Sequence, residues 1–285
     1  MRIIDKPESH YTYIFDTWEE MVLQADKSGG PSERSRAEDD WFGSQTFPDA
    51  IRMGLEGLPV IGRQIKEDSG NIASIIFASM PKPDVDYSTS GQIIDMGKYL
   101  DGLPECCLKL DVPDSGGSRI VDIVVNASIN CNQNADAVKN RGTAIAVIIR
   151  TLESLGVSTR VWITYGFHRD QTIQIWTKFK DYGEPLRLNH LAVALCSPIT
   201  HRRFGFSLAE SAPDAIKESI GIRNGGSYGG SYDIESWSGQ NSFPVKPGYL
   251  YFPILSGQSE FKSLDSSKTW AEEQIKSKYL KTEVK

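Results

Sequence analysis

The sequence has no long apolar run and no secretion signal. None of its hydrophobic stretches approaches the length of about 18 residues that marks a membrane-spanning helix. The first ten residues, MRIIDKPESH, lack the basic and then apolar pattern of a signal peptide. These absences predict an intracellular protein that does not use a membrane as a partner.

Cysteine is scarce, and its spacing does not suggest a metal site. The chain has no CxxC pair and no histidine at zinc-finger spacing from a cysteine. This pattern favours free thiols in a reducing compartment over a disulfide or a metal centre. The residues concerned are Cys106, Cys107, Cys131 and Cys196.

Several short motifs by which enzymes are recognised are also absent. The chain contains no Walker A sequence, no GxGxxG and no HExxH, and its four histidines are scattered. The tripeptide at 168–170, HRD, lacks the downstream asparagine and the glycine-rich lid of a kinase. We therefore predict a non-enzymatic protein without a cofactor. A metal-dependent or phosphate-processing enzyme remains a third hypothesis.

Length and charge limit the fold and its partners. At 285 residues, with 39% hydrophobic and 24% charged residues, the chain can form one large or two small globular domains. The net charge of −6 arises in residues 1–50, which carry 11 acidic and 5 basic residues. An acidic mean charge argues against nucleic-acid binding in general, but it leaves room for a local basic groove.

Residues 121–167 predict a β-α-β unit. Val121–Val125 is a short β-branched run that ends at a polar turn, and Val161–Tyr165 begins a second strand. Between them, apolar residues recur at the spacing of one buried helical face, and Gly156 ends the helix. Such a unit requires a parallel pair of strands covered by a helix, with the polar turn at the carboxyl end of the first strand. The apolar positions are Val138, Ile145, Ile148, Ile149, Leu152 and Leu155.

The turn of this unit reads Asn126-Ala127-Ser128-Ile129-Asn130. It resembles the metal-binding turn of von Willebrand factor A domains, Asp-x-Ser-x-Ser, over about 45 residues that include the helix and the second strand. Asn126 and Asn130 replace an acidic ligand and a serine, so a hard divalent cation loses the anionic oxygen it prefers. The resemblance implies the fold, and we expect no metal there.

We predict one α/β domain with a mixed central sheet flanked by helices, a von Willebrand A-like or Rossmann-like core, and extra N-terminal elements. Its parts are an acidic N-terminal arm (1–50), accessory elements (51–115), the core (116–220), a Gly/aromatic loop (221–248), and a strand and helix (249–285). The predicted helices are Tyr11–Gln24, Phe47–Leu58, Asn189–Cys196 and Ser266–Leu280, and Ser267 is the N-cap candidate of the last helix. The predicted strands are Gly70–Ala78, Gln171–Phe179 and Tyr249–Leu255. The segment Pro81–Gly91 is predicted as a loop.

The segment 221–248 combines glycines with aromatic residues. A flexible backbone, flat rings and flanking cations are typical of a platform on which single-stranded nucleic acid stacks, whatever its sequence. The alternative is a long hairpin whose aromatic rings cover the domain. The candidate contact residues are Arg223, Tyr228, Tyr232, Trp237 and Lys246.

Two basic clusters are candidates to extend this platform. Arg202 and Arg203 adjoin Phe204, and guanidinium groups suit both phosphates and bases. Their alternative role is to complement the dipole at a helix C-terminus. The C-terminal lysines either contact phosphates or form a solvated face. These are Lys276, Lys278, Lys281 and Lys285.

Most of the chain is similar to phage-encoded proteins. The similarity rests on the stretches 41–57, Ile93–Leu110, Gly183–Leu195 and the unit that begins at Val121. In size and architecture the chain resembles the single-stranded-DNA-binding RNA polymerase cofactors called Drc, from lytic podophages. The resemblance implies an accessory protein in the cytoplasm of an infected bacterium, with single-stranded DNA and a phage RNA polymerase as partners, and a homo-oligomer as a further hypothesis. The alternative is a protein-interaction adaptor with no nucleic-acid role.

Overall fold

The computed structural model of the protein describes residues 1–6, 10–28, 40–79, 84–90, 93–111, 120–222, 228, 230–231, 233, 244–245, 249–257 and 259–275. Its contacts divide the chain into two compact units. The larger unit is Met1–Ala73 with Ile120–Lys285, and the smaller is Ser74–Arg119. The sequence predicted one domain, and it gave no sign that the smaller unit is separate.

The strands of the larger unit form a mixed sheet. In chain order the strands of the protein are β1 (Arg2–Lys6), β2 (His10–Phe15), β3 (Asp84–Ser88), β4 (Ile93–Ile94), β5 (Cys107–Asp111), β6 (Ile120–Asn126), β7 (Ser158–His168), β8 (Thr172–Lys180), β9 (Gly230–Ser231) and β10 (Leu250–Phe252). The sheet of the larger unit has the order β1-β2-β8-β7-β6-β10, and β9 pairs with β7. Pairs β2–β8, β6–β7 and β6–β10 are parallel, whereas β1–β2 and β7–β8 are antiparallel.

Helices follow the strands along the chain. They are α1 (Trp18–Lys27), α2 (Phe47–Glu56), α3 (Pro59–Ser79), α4 (Met96–Leu100), α5 (Ala135–Ser154), α6 (Leu188–Cys196), α7 (Phe206–Glu210), α8 (Asp214–Ile220) and α9 (Leu264–Ile275). Short 3₁₀ turns lie at Asp40–Phe42 and Ser259–Phe261, and a π-helical turn lies at Thr200–Gly205. The predicted α/β fold, with a mixed sheet flanked by helices, is confirmed.

The β-α-β unit forms as predicted. Strand β6 pairs in parallel with β7, and α5 connects them. The side chain of Asn134 caps the first turn of α5 by accepting from the backbone N–H of Ala137 at 2.8 Å. Gly156, with φ of 80°, follows the helix in a conformation that favours glycine.

One face of the sheet packs against helices. Tyr165 of β7 donates from its hydroxyl to Sδ of Met21 in α1, at 3.4 Å. At the other end of the sheet, the ring of Phe252 in β10 meets that of Trp270 in α9, with centroids 6.2 Å apart. Since side chains alternate along a strand, the neighbours of these residues point to the opposite face.

The opposite face carries its own buried apolar cluster. Ile14, Val124, Trp162 and Trp176 come from four adjacent strands and pack with Val245. The two indole rings meet edge to face, with centroids 6.4 Å apart. Because Val245 precedes β10, part of the chain between α8 and β10 reaches this face.

The N-terminal prediction of an acidic arm with a helix at Tyr11–Gln24 is wrong. Residues 10–15, HYTYIF, form the interior strand β2 and are buried throughout. Tyrosine, threonine, isoleucine and phenylalanine all favour strands. The helix begins only at Trp18, where Thr17 accepts from the backbone N–H of Glu20 at 3.1 Å.

The predicted strand Gly70–Ala78 is also wrong, because these residues continue α3. Ile65 and Ile72 are both buried and lie seven residues apart, which is two helical turns. Viewed alone, the β-branched run favours a strand, because the helical period that includes it starts further upstream. The predicted loop Pro81–Gly91 likewise contains strand β3.

Other predicted elements agree with the structure to within a few residues. Helix α2 ends before Gly57, strand β8 covers the predicted Gln171–Phe179, and α6 covers Asn189–Cys196. The final strand is shorter than predicted, at Leu250–Phe252. Helix α9 starts at Leu264, so Ser267 lies inside it instead of capping it, and its predicted end lies outside the described residues.

In the smaller unit, β3 and β4 pair with β5 on either side, both antiparallel. Asp95 caps α4 by accepting from the backbone N–H groups of Gly97 and Lys98. It also accepts from the hydroxyl of Tyr87 at 2.8 Å. Large apolar side chains of this unit are exposed, among them Ile94, Met96, Tyr99, Leu100 and Leu103.

Candidate functional site

The turn after β6 uses its polar side chains to hold itself in place. Asn126 accepts from the backbone N–H of Ser128 at 3.0 Å and donates to the hydroxyl of Tyr251 at 3.1 Å. Ser128 in turn accepts from the backbone N–H of Gly166 at 3.0 Å. Within the described ranges, no group of three or more His, Cys, Asp or Glu side chains is arranged to hold a metal ion.

The structure contradicts the nucleic-acid role predicted for Arg202. This side chain is buried, and its guanidinium lies 4.0 Å from the ring centroid of Trp41. It donates to the backbone carbonyls of Trp41 at 2.7 Å, Gln133 at 2.9 Å and Asn130 at 3.2 Å. Burial lowers the pKa of Arg202 to about 10.

The nucleic-acid role predicted for Arg203 and Phe204 is corrected for the same reason, because both side chains are buried. Arg203 is 0% exposed and donates to the backbone carbonyls of Ser44 at 2.8 Å and Gln45 at 3.2 Å. Phe204 is also 0% exposed and packs edge to face on Trp18. These side chains join the 40–46 region to the core, so they do not present a surface to DNA.

Tyr228 is packed against the domain. Its ring stacks on Phe206 with centroids 3.7 Å apart and planes within 1°, and its hydroxyl donates to Glu210. Since Phe206 covers one face of the ring, this contact fits the hairpin hypothesis for Tyr228. The other predicted contact residues lie outside the described residues. They are Arg223, Tyr232, Trp237, Lys246, Lys276, Lys278, Lys281 and Lys285.

The pattern GxSxG of serine hydrolases occurs at 225–229 as GGSYG. It lies between helix α8 and strand β9, whereas the hydrolase motif joins a strand to a following helix. The chain order therefore gives no support to a nucleophile at this position.

Four buried polar side chains lie together on the face of the sheet that carries the apolar cluster of Trp162 and Trp176. We call these four residues, Thr12, Trp162, Thr164 and Gln174, the polar patch. Thr12 is paired with Gln174 across β2 and β8, and Thr164 is paired with Trp176 across β7 and β8. Trp162 lies two residues before Thr164 and so points to the same face. All four side chains are at most 4% exposed.

Each member of the polar patch has an atom that lacks a hydrogen-bond partner. These atoms are Oγ1 of Thr12, Oγ1 of Thr164, Nε1 of Trp162 and Nε2 of Gln174, and none is bonded to any part of the chain that the structure describes. Leaving a buried polar group unsatisfied costs about 1–3 kcal/mol. Four such groups on one face are a concentration of unsatisfied polar atoms, and they make this face the candidate site.

Gly166 lies beside the polar patch, where the backbone of the neighbouring strand comes close. It lies opposite Gln174 and two residues from Thr164. A Cβ at Gly166 would come within 2.8 Å of the backbone oxygen of Ile173, and the nearest described atoms are all backbone. A side chain is therefore excluded at this position, because the backbones of β7 and β8 approach each other closely beside the polar patch.

Residues near the Gly/aromatic loop lie on the same side of the sheet. Tyr249 and Tyr251 pack with Val245 on the apolar cluster beside the polar patch. The hydroxyl of Tyr251 donates to Asp233 at 2.5 Å. Asp233 and Val245 belong to the segment 221–248, so this segment and the polar patch share one face of the sheet.

Sequence reasoning missed the polar patch, although one signal was present. In Gln171–Phe179 the apolar residues Ile173, Ile175 and Phe179 alternate with polar neighbours, which predicted a half-buried strand. Instead, Gln174 and Trp176 are buried, because the face to which they point is covered, with Val245 packed on it. The signal in the sequence was Trp176, a large aromatic residue two positions after Gln174 and therefore on the same side of the strand.

In the stretches of chain that the structure describes, no helix is both long enough and apolar enough to cross a bilayer. No curated protein and no solved structure matches the chain. One family model matches residues 3–266, which is nearly the whole chain and includes the polar patch. The chain therefore belongs to the family described as Domain of unknown function (DUF7192).

Proposed function

We propose that this protein is a non-enzymatic, sequence-tolerant single-stranded DNA-binding protein. The observation that carries the proposal is the polar patch, which places unpartnered donors and hydroxyls beside buried indole rings. Bases of single strands are recognised through stacking and through hydrogen bonds to their edges. An unpaired base offers both kinds of contact, and it is uncharged like the four side chains of the patch.

The segment 221–248 supplies what the patch lacks. A single strand also carries phosphates, which cations must neutralise, and Arg223 and Lys246 lie in this segment. Its aromatic residues Tyr232 and Trp237 have faces on which further bases can stack. Because the polar atoms are buried, the proposal requires that Val245 give up its contact with this face when the strand binds.

The protein partner in this proposal is a phage RNA polymerase, as the resemblance to the Drc cofactors implies. The smaller unit supports a protein contact, since Leu100 is 77% exposed and Tyr99 is 59% exposed. Neighbouring exposed apolar side chains of this kind often mark interaction surfaces. The same observation favours the second candidate, a protein-interaction adaptor that binds no DNA.

The experiment is fluorescence anisotropy with a labelled single strand and its duplex, at two salt concentrations. We expect the single strand to bind more tightly than the duplex, and the double variant Thr12→Val/Thr164→Val to bind about tenfold more weakly, since two hydrogen bonds of about 0.5–1.5 kcal/mol each are lost. Thr177→Val is the matched control. Its hydroxyl is also buried and unpartnered among the described residues, but it lies on the other face of β8.

Two results would decide against the proposal. If wild-type protein binds no single strand at either salt concentration, the adaptor function is favoured. If Thr177→Val weakens binding as much as the double variant does, the polar patch is not the contact surface. Co-elution with the phage polymerase, lost in Leu100→Ser, tests the partner separately.

A further inference from the structure

A separate cavity lies at the carboxyl ends of β6 and β10, on the helix-covered side of the sheet. Its volume is about 170 Å³, and it is lined by Arg141, Ile145, Phe252, Glu260, Phe261 and Trp270. In α/β folds the carboxyl ends of parallel strands are where ligands usually bind. The polar patch does not contribute to this cavity, so the inference below is independent of DNA binding.

Arg141 brings a buried positive charge to the cavity. The residue is 6% exposed, and its three described hydrogen bonds all come from Nη2, to the backbone carbonyls of Asn126 at 3.1 Å, Phe252 at 3.5 Å and Pro253. Nε and Nη1 take part in none of them. Among the residues that the structure describes, no carboxylate forms an ion pair with Arg141.

An uncompensated charge in the interior is unfavourable. Burial lowers the pKa of Arg141 to about 10, so the group is still protonated at neutral pH. Backbone carbonyls stabilise one nitrogen of the guanidinium, but buried charges in proteins are normally paired with an opposite charge. A small anion in the cavity would supply that pairing through a two-point contact with the guanidinium.

The walls of the cavity are aromatic. The ring of Trp270 lies 6.2 Å from that of Phe252 and 5.2 Å from that of Phe261, edge to face in both pairs. Ile145 is fully buried and adds an aliphatic wall. An apolar cavity of about 150 Å³ can hold one benzene molecule, so this cavity has room for one ring.

From these features we infer that the cavity binds a small aromatic monocarboxylate, with its carboxylate on Arg141 and its ring against Phe252, Phe261 and Trp270. A singly charged ligand matches the single lining cation. Glu260 also lines the cavity, and its negative charge disfavours a doubly charged group such as phosphate. The ligand class is a single-ring acid, because a volume of about 170 Å³ matches one ring.

The test is isothermal titration of the full chain with benzoate, with benzyl alcohol as the uncharged probe of similar shape. We expect benzoate to bind and benzyl alcohol to bind at least tenfold more weakly. Trp270→Ala should weaken benzoate binding at least tenfold, since Trp270 is only half-buried and forms one wall. Tyr99→Ala, an exposed ring in the smaller unit, is the control and should leave binding unchanged.

Arg141→Lys keeps the charge and loses the forked geometry, so it should also weaken benzoate binding. Should this variant not fold, Trp270→Ala still decides. The inference is overturned if millimolar benzoate gives no binding heat, if Trp270→Ala binds benzoate as wild type does, or if benzyl alcohol binds as tightly as benzoate. Tighter binding of N-acetylphenylalanine than of benzoate would overturn the assignment to a ligand as small as benzoate. The anisotropy assay with single-stranded DNA measures binding at a different site. A failure of benzoate binding can therefore be distinguished from a failure of DNA binding.

Discussion

Gly166 and Gln174 lie directly opposite each other on the antiparallel strands β7 and β8, so the glutamine amide faces a position that has no side chain. The amide oxygen accepts from Nε1 of Trp176 at 3.3 Å, whereas Nε2 is bonded to no described part of the chain. The polar patch therefore has a donor, Nε2 of Gln174, on a side chain that is held in orientation by an indole. A preorganised donor of this kind favours ligand binding, since less side-chain freedom is lost.

The hydroxyls of the polar patch should not stabilise the protein without a ligand. We expect Thr12→Val and Thr164→Val each to leave the free energy of unfolding unchanged or to raise it by up to about 1 kcal/mol, because an unsatisfied buried hydroxyl is removed. Urea unfolding of each variant measures this. A loss of more than 1 kcal/mol would mean that the hydroxyl has a partner in the folded protein, and the patch would then be structural.

Arg203 should matter for stability and not for DNA binding. Arg203→Lys loses the hydrogen bonds from Nη2 to the carbonyls of Ser44 and Gln45 and from Nε to Oγ of Ser44, and we expect a loss of about 2–3 kcal/mol in the free energy of unfolding. Arg52→Lys is the control, because Arg52 is exposed and its ion pair with Asp49 contributes little. If Arg203→Lys keeps full stability but loses DNA affinity, the surface role predicted from the sequence would be restored.

His201 should make stability depend on pH. Its ring stacks on Phe167 with centroids 4.9 Å apart, and burial, with a smaller contribution from Arg202, lowers its pKa to about 3. In the unfolded chain a histidine has a pKa of about 6.5, so between these values the unfolded state binds a proton that the folded state does not. Stability from this group is present above pH 6.5 and is lost as pH falls, by about 1.4 kcal/mol per pH unit.

His201→Phe keeps a ring at this position and removes the titration. The difference in unfolding free energy between wild type and variant should therefore change with pH between about 6.5 and 4. Chemical denaturation at several pH values gives this difference directly. Parallel curves for the two proteins would show that His201 is protonated equally in the folded and unfolded states.

Tyr228 and Trp237 should behave differently, although both belong to the Gly/aromatic loop. Tyr228→Ala removes a ring stacked on Phe206, and we expect it to cost about 1–2 kcal/mol of stability with little change in affinity for single-stranded DNA. For Trp237→Ala the sequence predicts a loss of about 1–3 kcal/mol in affinity. Thermal melts and anisotropy on both variants separate the two roles, and the reverse pattern would exchange the assignments.

The β-α-β unit was predictable because its signals are local. The apolar face of α5, the end of the helix at Gly156 and the two β-branched strands are all visible within residues 121–167. Each of these signals acts between near neighbours in sequence, so no knowledge of distant parts of the chain is needed.

The polar patch was not predictable in this way. Thr12 becomes buried because β2 pairs with β8, and nothing near residue 12 indicates that partner. Arg202 and Arg203 were misassigned for a related reason. Their charge is visible in the sequence, but the carbonyls that bury it come from residues 41–45 and 130–133. The pairing of strands that are distant in sequence decides which polar groups are exposed to solvent. This pairing cannot be predicted from one sequence alone.

The position of β2 between β1 and β8 has a consequence for how the protein is made. His10 pairs with Thr172 and Phe15 with Thr177, so the N-terminal strands cannot complete the sheet until the ribosome has synthesised β8. Until then, an aromatic segment of high strand propensity has no partner and is open to pairing with other chains. Folds whose contacts join such distant residues fold slowly. We therefore expect refolding from denaturant to be slow and to lose yield as protein concentration rises.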